Sequence, residues 1–152
     1  MNVKSVVYWI ATALIALETL AGGATDIAHG RTNLVSGAPV VDVVTSLGYP
    51  VYILTILGIW KLLGGVTLLA PRLPRLKEWA YAGVIFELTG AAASLIVRGH
   101  GVGDVTTPLV LAVLAIASWA LRPASRTLGS LLPARSGARR LPMRRPGTRG
   151  LA

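Results

Sequence analysis

The sequence predicts an all-α fold: a polytopic membrane four-helix bundle followed by a disordered basic C-terminal tail. Three observations carry this. The chain of 152 residues is 53% hydrophobic and only 14% charged, with a mean hydropathy of +0.65, a balance suited to lipid rather than water. It holds four apolar stretches of the roughly 20 residues that one bilayer crossing needs. From Pro123 onward the composition turns to Pro, Gly, Ser and Arg with no acidic residue, and no helical or strand period persists, so disorder is expected there. The expected division is a transmembrane domain over 1–122 and an Arg-rich tail over 123–152.

Each span is placed by its breakers. The first is predicted over about 5–24, where Gly22-Gly23 loosens the final turn before the polar Thr25-Asp26. The second, over 50–70, opens after Gly48-Tyr49-Pro50 and is stopped by Pro71 and Pro74. The third covers 78–97 and ends at Arg98-Gly99. The fourth covers 105–121, with Pro108 in its first turn, where a missing backbone donor costs little, and ends before Arg122-Pro123. Between the first two spans, Pro39 to Leu47 is expected to form a short interfacial helix capping the bundle. Lys4 before an apolar run and the small residues Gly22-Gly23-Ala24 also fit a cleaved signal peptide. Glu18 is unusual inside such a leader, so the stretch is read as a retained span.

Charge placement sets the orientation through the excess of Lys and Arg on cytoplasmic loops. With four spans, Lys4, then Arg72, Arg75 and Lys77, then the eight arginines from Arg122 to Arg149 share one side. The other side holds only Arg31 and Arg98. The expectation is a bacterial cytoplasmic (inner) membrane protein with both termini in the cytoplasm. The tail lacks the interleaved aromatics that single-stranded nucleic acid favours. Beside a membrane, each of its arginines gains about 1 kcal/mol from an anionic leaflet. Anionic lipid, and no nucleic acid, is its expected partner.

Charges inside the spans point to a site. Glu18, Lys61 and Glu87 each interrupt an apolar stretch, and an ionised side chain at mid-bilayer costs roughly 2.5 to 3.5 kcal/mol on insertion scales, so such residues face protein and pair. At about 1.5 Å per residue, Lys61 and Glu87 lie near the middle of their spans and Glu18 about a turn nearer the outer side, so Lys61 is placed to contact either carboxylate. Gly83, Glu87, Gly90, Ala91 and Ser94 recur at helical spacing and are expected to face protein as a small-residue stripe. Gly58, Lys61 and Gly65 form a similar face, as do Ala11, Glu18, Ala21 and Gly22. Two carboxylates against one lysine leave a net negative charge, so one carboxyl is expected to hold a shared proton, unless Glu18 reaches interfacial water. The alternative role for all three residues is to hold the helices together.

The outer loops carry Asp26, His29, Asp42, His100 and Asp104. These are proton-relay and metal-compatible residue types, but no ligand spacing joins them, and no metal is expected. Cysteine is absent, which removes thiolate nucleophiles, disulfide exchange and cysteine-ligated clusters. His29 and His100 both fall in predicted loops, so no histidine pair is set to hold a haem between helices. Tyr49, Tyr52, Trp79 and Tyr81 lie near span ends, where aromatic belts form; Trp60 and Trp119 are deeper and read as packing residues. The residues single out no catalytic set.

Longer strings carry a family resemblance. Leu47-Gly48-Tyr49-Pro50, then Lys61-Leu62-Leu63-Gly64, then the run from Pro71 through Arg75 and Trp79 to Gly83, with the opening Tyr8-Trp9-Ile10 helix, resemble the DoxX-like family of small bacterial membrane proteins over about residues 5–123. The resemblance implies a four-helix membrane subunit of the kind associated with thiosulfate:quinone oxidoreduction, or with membrane oxidoreductase complexes in oxidative-stress defence. Lys61 and Glu87 match positions where polar residues recur in the family. The missing cysteines speak against a sulfur relay by this chain's own side chains.

Three functions follow. The first is a membrane subunit or anchor for a soluble or membrane oxidoreductase, with a quinone site near the outer helix ends. The second is a carrier of protons or a small solute using Glu18, Lys61 and Glu87, which the lack of an internal repeat or broken helix pair weakens. The third is a scaffold without a ligand. The first is favoured.

Overall fold

A computed structural model describes residues 3–30 and 38–123. Among these residues the helices are α1 (Val3–Ile27), α2 (Val40–Ser46), α3 (Tyr52–Leu69), α4 (Pro74–Val97) and α5 (Val102–Ala120). Four of them, all but α2, are long and apolar enough to cross a membrane. The expected tail lies outside the described residues, as does Arg31.

The long helices alternate in direction and form a ring in which α1 packs on α3 and α5, and α4 packs on α3 and α5. Ile15, Ala16, Leu68, Tyr81, Val84, Leu88, Ala112 and Ala115 form one buried core. It fills the half of the bundle where α1 begins and α5 ends, here the terminal half. The opposite, or loop, half is capped by α2, whose Val40 and Val44 pack against Leu54 at the start of α3. Arg98 Nε donates to the Leu47 carbonyl at 2.9 Å and Tyr49 OH meets Ser94 Oγ at 2.9 Å, tying the α2–α3 connection to the end of α4. The short helix expected over 39–47 is therefore present as Val40–Ser46.

The closest helix contact is α1 against α3. A Cβ on Gly23 would lie 2.9 Å from the Gly58 carbonyl oxygen, and one on Gly58 2.7 Å from the Gly23 carbonyl oxygen, so glycine at both positions lets the backbones touch. This corrects the reading of Gly22-Gly23 as a loosened end: α1 runs through both to Ile27, held by its contact with α3. The expected α4 stripe faces protein at Glu87, Ala91 and Ser94 and is corrected at its two glycines. Gly83 and Gly90 meet nothing within 4 Å; α4 instead buries Lys77, Tyr81, Val84, Leu88, Ala92 and Leu95.

Three further expectations change. Tyr81 is 1% exposed and belongs to the core rather than a belt, because its hydroxyl finds Ser118 Oγ at 2.8 Å, which in turn meets Thr12 Oγ1 at 2.7 Å. Trp60 and Trp119 are outward-facing, at 68% and 44% exposed; Trp119 donates from Nε1 to Glu78 Oε2 at 2.8 Å. Pro108 lies inside α5, which begins at Val102, so the Asp104 carbonyl lacks a helical donor at that position.

Candidate functional site

Lys61 is the centre of the loop-half interior. It projects from α3 in the turn between Gly58 and Gly65, where α3 lies against α1 and leaves room for a long side chain between helices. Its Nζ is 2.8 Å from Asp26 Oδ2 and 2.9 Å from Glu87 Oε1. One ammonium thus bridges α1 and α4, with only 16% of its side chain exposed.

Asp26, expected in an outer loop, is 3% exposed in the last turns of α1. Continuation of the helix past Gly23 turns its carboxylate inward onto Lys61. Glu18, the other carboxylate placed within reach of Lys61, makes no ion pair among the described residues. Its nearest hydrogen-bonding neighbour is Thr19 Oγ1 at 3.5 Å. Glu18 nevertheless faces the same space, because both Glu18 Oε1 and Lys61 Nζ lie less than 4 Å from where a Cβ on Gly22 would sit.

That space is a cavity of about 910 Å³. Glu18, Asp26, Lys61 and Glu87 line its polar part, while Leu14, Leu17, Leu88, Leu111 and Leu114 supply apolar walls from α1, α4 and α5. Val40 and Val43 of α2 close over it, and His100 and Asp104 stand at its margin, with His100 Nδ1 3.6 Å from Asp104 Oδ2. The structure therefore brings His100 and Asp104 to the same cavity as the interior charges. It does not bring His29, which follows α1 in a left-handed conformation (φ 46°) and reaches Thr55 Oγ1 at 3.4 Å. Asp42 is likewise not among the cavity residues; it sits in the first turn of α2. No group of three or more His, Cys, Asp or Glu among the described residues is arranged to hold a metal ion.

The sequence also places Lys77 on a loop, which the structure corrects. Lys77 is 1% exposed, and its Nζ donates to the carbonyls of Thr67 and Leu68 at 2.7 and 2.6 Å, satisfying two of the carbonyls left open at the end of α3. Arg122 acts in a comparable way where α5 ends: its Nη1 is 2.8 Å from Glu78 Oε1, and its guanidinium lies 5.1 Å from the Tyr81 ring centroid. These two cations hold the terminal half shut beneath the apolar core. The cavity lies among the loop-half charges and reaches inward to Leu14, Leu88 and Leu114 at the edge of the apolar core, and its makeup of charged floor and apolar walls suits an amphipathic molecule.

Neither a curated protein nor a solved structure matches the chain. A family model does, over residues 10–118, a stretch that includes every residue of the cavity. By that match this chain is a membrane protein of the DoxX-like family.

Proposed function

We propose that this protein is the membrane subunit of a redox system in a bacterial cytoplasmic membrane, and that its loop-half cavity binds a quinone-type molecule for an oxidoreductase partner. The observation that carries this reading is one cavity with an ionisable floor and leucine walls. Its volume falls in the range of small-molecule sites, about 300 to 1,000 Å³. A quinone when bound supplies two-electron carriage between partners.

The residues fit such a group in kind. Leu88, Leu111 and Leu114 exclude water from an apolar ring and tail. Lys61 offers hydrogen-bond donors toward an oxygen, and the carboxyl groups of Glu18, Asp26 and Glu87 stand beside it. His100 and Asp104 line the same cavity. The apolar layer of Ile15, Leu68, Val84 and Ala115 blocks the other direction, which favours a one-sided site over a carrier. Electrons come from the partner, since this chain holds no cysteine.

The test is a titration of the full-length protein in nanodiscs with a short-chain quinone analogue. Saturable binding is expected, and Ala91→Trp, which fills the cavity wall, is expected to reduce it at least tenfold. Binding that rises linearly, as for partition into lipid, or that is untouched by Ala91→Trp, contradicts the proposal.

A further inference from the structure

Resting on the quinone-type reading for the identity of the ligand, we propose that the cavity opens sideways into the bilayer through the seam between α1 and α5. Its ligand is then a molecule dissolved in the membrane, which enters at mid-bilayer and leaves an apolar tail lying in the seam.

The seam is closed at one end and open at the other. In the terminal half Thr12 Oγ1 meets Ser118 Oγ at 2.7 Å, and Ile15 and Ala115 are fully buried. Toward the loops, Leu14, Glu18, Ala21 and Thr25 recur at helical spacing on one side of α1. All four line the cavity, and none of them is buried. Thr107, Leu111 and Leu114 of α5 line the same cavity and are only half-buried. Two residues of α1 border the cavity while facing outward: Leu14 is 51% exposed and Leu17 is 66% exposed. A side chain that meets the cavity and the surroundings at once marks the rim of an opening. The other walls are shut. Gly23 and Gly58 bring the backbones of α1 and α3 together, α4 buries Leu88 and Leu95 against the cavity, and Val40 of α2 is buried over its loop end.

Depth decides what the opening meets. Leu14 and Leu111 lie close to the midpoints of α1 and α5, so the rim faces hydrocarbon rather than headgroups or water. Leucine on both sides of the seam suits an apolar chain. The same geometry accounts for Glu18, which makes no ion pair among the described residues: it stands on the seam side of α1, while Asp26 and Glu87 hold Lys61. A polar side chain at this depth is accommodated because it borders a cavity. A ring near Lys61 thus sends its tail past Glu18 and out between Leu14 and Leu17 on one side and Leu111 and Leu114 on the other.

The experiment places the full-length protein in nanodiscs containing a phospholipid with a photoreactive diazirine at the middle of its acyl chain, and maps the adducts by mass spectrometry. Adducts are expected at Glu18 as well as at the outward-facing Val110 and Val113. A short-chain quinone at about ten times its Kd is expected to cut the Glu18 adduct roughly tenfold and to leave those at Val110 and Val113 unchanged. Ala21→Trp, which fills the seam, is expected to abolish the Glu18 adduct alone. Adducts at Val110 and Val113 with none at Glu18 in the unmodified protein overturn the side opening and leave the quinone-type reading standing, as does a Glu18 adduct that survives in Ala21→Trp. A Glu18 adduct that the quinone fails to displace upholds the opening and contradicts the quinone as its occupant. Should Ala21→Trp fail to fold, the adducts of the unmodified protein decide.

Discussion

One lysine shared between carboxylates from two helices governs the interior. Lys61 lies within ion-pair distance of Asp26 and Glu87, so its removal strands the buried Asp26 and the half-buried Glu87 carboxylates, while loss of either carboxylate leaves the ammonium one partner. Breaking a buried pair from one side costs about 3 to 5 kcal/mol. Lys61→Met is therefore expected to reach that range in detergent unfolding, and Glu87→Gln and Asp26→Asn to cost less. Double-mutant cycles should show coupling of Lys61 with Asp26 and with Glu87, and little with Glu18, which holds no ion pair among the described residues. Additive effects for Lys61 with both Asp26 and Glu87 would contradict this arrangement. The sequence identifies Lys61 and Glu87 because charges stand out against apolar runs. It misplaces Asp26 because Gly22-Gly23 followed by Thr-Asp has the local chemistry of a helix end, and only the α3 surface against Gly23 keeps the helix going.

Between elements, α3 and α4 are joined by a short turn over residues 70–73, and Lys77 crosses back to close the end of α3. A lysine soon after two prolines reads as a solvated loop charge. What the sequence does not display is that the ends of α3 and α4 meet so closely that open carbonyls face that side chain. Lys77→Met removes the donors to Thr67 and Leu68, and each buried acceptor left unmatched costs about 1 to 3 kcal/mol. A lowered melting temperature in detergent is expected, with quinone-analogue binding retained because Lys77 is outside the cavity. An unchanged melting temperature would show that those bonds contribute nothing. The α4 stripe fails at Gly83 and Gly90 for a related reason. Spacing groups Gly83 and Gly90 with Glu87, but does not say which side of the helix neighbours occupy; Leu88, Ala92 and Leu95 take that side.

Across the bundle, the four spans are legible in the sequence because hydropathy accumulates over some 20 residues regardless of neighbours. The cavity is not, because it is made by four helices and α2 together, and no one segment carries its pattern. Orientation rests on the cationic bias, which the absence of cysteine makes testable. A cysteine at Gly101 is expected to react with an impermeant maleimide in intact cells, and one at Arg75 only after permeabilisation. The reverse pattern would place the cavity mouth in the cytoplasm.

Whether the cavity around Lys61 is where a quinone-type molecule binds is decided by photolabelling with a short-chain azidoquinone. Adducts are expected on cavity residues such as Leu88, Ala91 and Leu111, suppressed by excess unlabelled analogue and absent from Ala91→Trp. Adducts spread over the outward-facing residues Phe86, Val110 and Val113, unaffected by competitor, would show that the analogue meets the protein only from the lipid and that the cavity is not its site.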